Sequence, residues 1–291
     1  MHDSPLSGRT VVVTGAARGV GAALARELAG RGARLALLGH EKAALDRVAA
    51  SLPTPALALE TDVTDADALR AAAHTVRAEL GRPSVVVANA GIAESGPLST
   101  ADQRSWRRVI EVNLTGSALT AQAFLPDLVR TRGYYLQIAS LAAIGAVPMM
   151  SAYCASKSGA EAFAHALRAE TAHQGVAVGI AYLNWIDTDM IHDADRHPAL
   201  RDLRAMLPPP ARRALPVEPV ARRLARAVER RRTSVHVPEW VRLAQLGRGV
   251  LAPVIARRAR VHYARLAAGQ PTQQSGPLGA GGLADHAPAD R

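Results

Sequence analysis

Cysteine, aromatic residues and lysine are all scarce in this chain of 291 residues. The single cysteine, Cys154, excludes an internal disulfide and suits a reducing cytoplasm. Aromatics are 3% of the residues, so a core must be built from Ala, Val and Leu, and an apolar content of 48% is enough to build one. With so few aromatics and no recognition motif, a nucleic-acid binder is not expected. Ten histidines are scattered without H-E-x-x-H or Cys/His spacing, so no metal site is expected. No unbroken apolar run is long enough to span a bilayer. Met1 to Gly8 is short and polar and Val11 to Val13 already reads as strand, so no leader peptide is expected. Of 35 basic residues, only Lys42 and Lys157 are lysine.

Acidic residues are missing from one region in particular. Residues 201–265 hold 16 Arg against 4 acids, whereas residues 1–200 are close to neutral. After Pro238, Glu239 to Leu251 and Pro253 to Ala267 read as two helices, with Pro253 breaking or restarting the run. Leu243, Leu246, Val250, Val254 and Ile255 form an apolar stripe flanked by Arg242, Arg248, Arg257, Arg258 and Arg260. Three readings stay open for it: packing on the main domain or a partner subunit, a lid over an apolar substrate, or peripheral contact with an anionic membrane. From Gly269 onward, Gly, Pro, Gln and Ala read as a disordered tail. The expected organisation is a main domain over 1–238, an Arg-rich helical extension over 239–268, and the tail over 269–291.

What is present is an alternation of short apolar runs and helical patterns. Strands are predicted at Arg9–Thr14, Arg34–Leu38, Ala56–Glu60, Ser84–Ala88, Tyr134–Ala139, Gly175–Tyr182 and Thr233–Val237. Helical patterns separate them, including a long one from Asp102 to Phe124. Continuous apolar runs of this kind suit strands buried on both faces. The alternation predicts an α/β fold with a doubly wound parallel sheet. Residues 191–216, with His192, His197 and Pro208 to Pro210, read as a loop-rich stretch and a candidate substrate lid.

The first strand runs into T-G-A-A-R-G-V-G, Thr14 to Gly21, followed by a helix. Such a turn lets backbone approach a pyrophosphate, which a helix N-terminus stabilises. Gly15, Arg18, Gly19, Val20 and Gly21 are therefore candidate cofactor contacts. An acid at the end of the second strand usually holds a free ribose 2′-hydroxyl. That place is taken by Gly39, followed by His40. With Arg18 and His40 able to face a 2′-phosphate, NADP(H) is expected over NAD(H), although Glu41 stands one residue further on. Asp62 either accepts from an adenine amino group, with Val63 on the ring, or caps the next helix, a task Asp65 can also fill. Asn89, Ala90 and Gly91 leave room for a ribose. Asn113 sits mid-helix, where asparagine is a mediocre helix former; either it faces solvent or it does a job.

Ser140 ends the fifth strand, and Tyr153 and Lys157 follow on one helix. Their i, i+4 spacing puts phenol and ammonium on one face. A cation beside a phenol favours phenolate and lowers its pKa from about 10. Ala142, Ile144, Met149 and Met150, between the serine and the tyrosine, either line an apolar pocket or belong to the core. Cys154 reads as a small helix residue.

Together these residues resemble the short-chain dehydrogenase/reductase family, classical type, over about residues 7–240. The motifs are T-G-x-x-x-G-x-G at Thr14–Gly21, D-V at Asp62–Val63, N-A-G at Asn89–Gly91, V-N-L-T-G around Asn113, then Ser140 and Y-x-A-S-K at Tyr153–Lys157. The resemblance implies a Rossmann-like seven-stranded parallel sheet with helices on both faces. It implies hydride transfer between NADP(H) and a small-molecule carbonyl or secondary alcohol. Tyr153 would be the general acid or base, Ser140 the group that binds the substrate oxygen, and Lys157 the group that lowers the tyrosine pKa and binds the ribose. Asn113 would hold a water leading from Lys157. It also implies a homodimer or homotetramer, to be expected in the cytoplasm that the cysteine usage suits. One departure stands out: the family's Pro-Gly after strand six is Leu183-Asn184 here. Asn184 is expected to take φ > 0 or to add a polar group to the substrate side, while Ile186 and Thr188 stand where they would hold the nicotinamide carboxamide.

Overall fold

The computed structural model describes residues 4–205, 207, 209–269 and 274–286. Among these, seven strands form one sheet: β1 Thr10–Thr14, β2 Arg34–Gly39, β3 Ala56–Glu60, β4 Pro83–Ala88, β5 Tyr134–Ser140, β6 Ala177–Leu183 and β7 Ser234–Val237. The order is β3-β2-β1-β4-β5-β6-β7, and every pairing is parallel. The chain reverses its direction of travel between β1 and β4. In such sheets the crevice at the strands' C-terminal ends, at that reversal, is where ligands bind.

The strands are apolar throughout because both faces are covered. Val11 and Val13 pack on one side with Leu35, Leu37, Val85 and Val87, and Val12 on the other with Ala36, Leu38 and Val86. Successive side chains alternate across the sheet. The first face is covered by α1 Gly19–Ala29, α2 Lys42–Ala50 and α10 Val217–Glu229; the second by α3 Ala66–Glu79, α5 Gly116–Thr131 and α6 Ser151–Thr171. The scarcity of aromatics shows in this core, which is aliphatic apart from Phe124 and three tyrosines, Tyr134, Tyr135 and Tyr182. The buried Tyr182 hydroxyl donates to Glu161 at 2.8 Å.

Several stretches depart from the sequence reading. The long helix expected from Asp102 is interrupted. Helix α4, Gln103–Ile110, runs into a wider π turn at Glu111–Thr115 before α5. The stretch after β6 is helical, as α7 Asp189–Arg196, α8 Pro198–Ala205 and α9 Pro209–Arg212; Pro208 lies outside the described residues. In the Arg-rich region the break falls at Gly247 rather than at Pro253. Helix α11, Val241–Leu246, stops there, and α12, Arg248–Gly269, runs through the proline. A proline early in a helix removes one N–H donor and is tolerated best near its start. Arg248 donates to Glu161 at 3.0 Å, tying α12 to α6. The apolar stripe does not pack on the sheet: Leu243, Leu246 and Val250 are 70%, 76% and 75% exposed.

The expected tail is corrected over residues 274–286. Its last part is a helix, α13 Gly279–His286, docked on the body of the protein. Composition suggested disorder because the segment has too little apolar surface to fold alone; Leu278 and long-range polar contacts hold it in place. Residues 270–273 and 287–291 lie outside the described residues. Among the described residues no helix is long and apolar enough to cross a membrane.

Candidate active site

The turn after β1 is built on backbone alone. Gly15 has φ +62°, in the left-handed region that side chains disfavour, and a Cβ on Gly21 would lie 2.2 Å from the Gly15 carbonyl. Asn89 fastens this turn to β4. Its amide donates to the Thr14 and Gly15 carbonyls at 3.0 and 3.1 Å, and Thr14 Oγ1 accepts from the Asn89 and Ala90 N–H groups at 3.0 Å. Helix α1 starts at Gly19 with no side-chain cap on its first N–H groups. A bare glycine backbone opening on an uncapped helix N-terminus fits a pyrophosphate.

Gly15, Arg18, Gly19, Val20, Gly21, His40, Val63, Asn89, Ala90, Gly91, Ser140, Tyr153, Lys157, Ile186 and Thr188 all line one cleft at the strands' C-terminal ends. Two predicted site residues stand behind it. Asn113, on the π turn, is fully buried. Its amide donates to the Ile92 carbonyl and to Ser156 Oγ, both at 2.9 Å, and accepts from the Ile92 N–H at 2.8 Å. Asp62 accepts from the Thr64 N–H and hydroxyl at 2.8 and 2.7 Å and from Arg108 at 2.9 Å. The capping role falls to Asp65, which accepts from the Asp67 and Ala68 N–H groups.

Further along, Tyr153 and Ser140 line the same cleft, and Ser140 Oγ accepts from the Ala142 N–H at 3.2 Å. Burial raises the Tyr153 pKa, and the Ser140 contact opposes it without cancelling it. The Lys157 ammonium lies 5.7 Å from the centre of the Tyr153 ring and donates to the Ile138 carbonyl at 3.4 Å. Burial brings the lysine down to about 8. The net direction for Tyr153 is upward, with burial as the largest cause, opposite to the lowering expected from its lysine neighbour. Ala142, Met149, Met150 and Cys154 pack together in a cluster beside the cleft and Ile144 joins the main core, so the core reading holds for them. Burial raises the Cys154 pKa, which disfavours a nucleophile there. Met149 has φ +66°, a strained value for a bulky residue, just before the first turn of α6.

Asn184 does not take φ > 0, so the expected rescue of the Pro-Gly turn does not occur. Its N–H donates to the Val237 carbonyl at 2.9 Å and its side-chain amide to the Ala211 carbonyl at 3.1 Å. Among the described residues its Oδ1 is buried without a hydrogen-bond partner, and the residue lines the cleft.

At the opposite end the cations are already engaged. Arg18 donates through Nε to Glu41 at 2.8 Å, through Nη2 to the other Glu41 oxygen, and to Asp189 at 3.4 Å. His40 lies 3.3 Å from Asp285 and 3.8 Å from Asp62. Sequence reasoning had no means of finding Asp285 or Arg108. They stand 177 residues apart, and nothing in the tail's composition marks the acid as buried.

A doubly wound sheet with a glycine turn at its reversal, and Ser, Tyr and Lys in the same cleft, makes this a dinucleotide-binding α/β protein with acid–base groups at the site. Residues 9–199 match the short chain dehydrogenase family, and the chain belongs to that family. It is similar to the D-threitol dehydrogenase of Mycolicibacterium smegmatis, 34% identical over 71% of this chain and 81% of that protein. It is also similar to the cis-4-hydroxycyclohexanecarboxylate dehydrogenase of Sinomonas cyclohexanicum, 39% identical over 63% and 75%. A third relative, 34% identical over 54% and 69%, is the inactive 2-(S)-hydroxypropyl-CoM dehydrogenase 2 of Xanthobacter autotrophicus. The chain is thus an oxidoreductase acting on CH–OH groups with a nicotinamide dinucleotide, NAD or NADP.

Proposed function

We propose that the protein interconverts a secondary alcohol and its carbonyl, with Tyr153 as the group that gives or takes the proton. The observation that carries this reading is that Ser140, Tyr153 and Lys157, with the ammonium 5.7 Å from the centre of the tyrosine ring, line the cleft that also holds the glycine turn. When bound, the dinucleotide supplies or accepts hydride at its nicotinamide ring. In the reducing direction Tyr153 donates from Oη to the substrate oxygen, and its raised pKa keeps that proton in place until needed. Ser140 donates to the same oxygen and stabilises the charge that develops on it. Lys157 binds a ribose and supplies the positive charge that eases phenolate formation during oxidation. Asn113 fixes the loop after β4 against the catalytic helix. Ile186 and Thr188 hold the carboxamide, and Asn184 adds a polar residue to the wall of the cleft beside them.

Between the two dinucleotides, the reading stays with NADP(H). Gly39 has no carboxylate for a 2′-hydroxyl, and Arg18 and His40 both line the cleft. A 2′-phosphate binds by drawing Arg18 away from Glu41. Ile92, Met190, Ile191 and Leu278 line the cleft together with Tyr153, which favours a bulky hydrophobic ketone or alcohol. A cytoplasmic homo-oligomer is the matching assembly.

Oxidation of NADPH and NADH, each followed against a panel of hydrophobic ketones, tests the reading. Turnover with a lower KM for NADPH is expected. A non-catalytic sensor of the same fold would bind the dinucleotide and turn over nothing. It would be expected to have lost one of Asn113, Ser140, Tyr153 and Lys157, and this chain keeps all four.

A further inference from the structure

Residues 274–286 cross the mouth of the cleft instead of leaving the domain. The Ser275 N–H donates to the Ser95 carbonyl at 2.7 Å and the Leu278 N–H to the Ala93 carbonyl at 2.9 Å, with Pro277 bridged to Glu94. Leu278 is 2% exposed and closes the apolar cluster of Ala93, Met149, Cys154, Ala194 and Leu200. The Gly279 N–H donates to Asp193 on α7 at 2.9 Å. Helix α13 then carries Asp285 to the far end of the cleft. There Arg108 Nε and Nη2 donate to its two oxygens at 2.8 and 2.7 Å, and His40 Nε2 lies 3.3 Å from Oδ1. The Asp285 side chain is 2% exposed. Arg108 comes from α4 and His40 from the end of β2, so the acid joins three separate elements.

Between these two anchorages the sequence is Gly279-Ala280-Gly281-Gly282, and all four residues line the same cleft as the glycine turn. The segment contributes small residues to the wall of the cleft. No side chain larger than a methyl group points from it between Leu278 and Leu283. A Cβ on Gly281 would meet only Arg18 Cδ, at 3.9 Å, and Leu283 is 57% exposed. An inhibitory plug would put bulk where this segment has none.

We propose that residues 274–286 are a strap over the bound dinucleotide, and that Asp285 is its latch. The dinucleotide enters and leaves when Asp285 lets go of Arg108 and His40. This rests on the dinucleotide reading of the cleft given above. Asp285 acts through the strap and is a positioning residue. Removing one partner of a buried, hydrogen-bonded charge pair acts mainly on dissociation.

The test measures dinucleotide release, by fluorescence after rapid dilution of the NADPH and NADH complexes, and amide hydrogen exchange of residues 274–286. In the parent, exchange of the segment should slow when dinucleotide binds. In Asp285→Asn, release should quicken about tenfold or more, and Asp285→Glu should restore most of the difference. Release from Asp285→Asn within about twofold of the parent overturns the latch. Faster exchange of the segment on adding dinucleotide overturns the strap and identifies a displaced plug instead. A parent protein that binds neither dinucleotide at millimolar concentration removes the proposed function, and the strap falls with it.

Discussion

The Lys157 ammonium stands 5.7 Å from the centre of the Tyr153 ring, one helical turn away on α6, and both groups line the cleft. Burial works against charge on both, raising the phenol and bringing the amine down to about 8. The proton sits on the tyrosine, where a carbonyl substrate needs it.

Replacing Tyr153 by Phe removes that proton and little else. Turnover should fall by a factor of about 10² to 10⁴, the range of a lost general acid. The dinucleotide dissociation constant, from fluorescence titration, should change little. Activity within about tenfold of the parent would overturn the assignment.

Lys157 should cost the free protein stability. It is 5% exposed, and its folded pKa of about 8 lies below the ordinary 10.5. A depressed lysine value means that the unfolded chain holds the proton more tightly. The cost is therefore fully present below about pH 8 and fades as pH rises toward the unfolded value. Lys157→Met should be more stable than the parent at neutral pH, on the order of 2 kcal/mol, with the gap closing by about pH 10. Urea unfolding of both proteins without dinucleotide checks this, and a pH-independent gap would refute it.

Asn113→Leu should destabilise by about 2–4 kcal/mol, because it strips partners from a buried N–H, a carbonyl and a hydroxyl. Those groups are the backbone of Ile92 and the side chain of Ser156. The urea midpoint should drop while the slope of the transition stays the same.

On the proposed NADP(H) reading, Glu41 competes with the 2′-phosphate for Arg18. Burial opposes the charge on Arg18, while hydrogen bonding and attraction from Glu41 more than offset it. Glu41→Gln frees the guanidinium and should raise the ratio of kcat/KM for NADPH over NADH by about tenfold, equivalent to about 1.4 kcal/mol. A ratio that stays put or falls would show that Arg18 does not face the 2′-position.

His40 gives the latch a pH dependence of known sign. Its pKa is raised, foremost by the hydrogen bond to Asp285, with burial and Arg108 opposing and Asp62 assisting. A raised folded value means the contribution is complete below about pH 6.5, the unfolded value, and is lost as pH climbs through the folded one. Dinucleotide release should therefore quicken between about pH 6 and pH 9 in the parent by more than it does in His40→Gln. Equal slopes in the two proteins would remove His40 from the latch.

The strands were legible because a sheet covered on both faces demands unbroken apolar runs, and Val11–Val13 and Val85–Val87 are such runs. The cleft was legible because Gly15–Gly21, Asn89–Gly91, Ser140 and Ile186 all stand just after strands, and parallel strands deliver their ends to one edge. What stayed hidden depends on distant partners. Asp285 is an ordinary acid in a glycine-rich tail until Arg108 meets it. Asn184 reads as a turn residue until its N–H is seen bonded to Val237. The π turn at Glu111–Thr115 escaped notice because its residues suit an ordinary helix equally well.

That turn has a consequence for the phase of the helix. A wide turn absorbs one surplus residue, so the residues on its two sides are offset by about 100° from where an unbroken helix would set them. Excising a single residue between Ile110 and Gly116 would leave a smooth rod and rotate Asn113 off Ile92 and Ser156. The surplus residue thus fixes the azimuth at which this asparagine meets its neighbours, and a family member shortened there would have to find another way to brace the loop after β4.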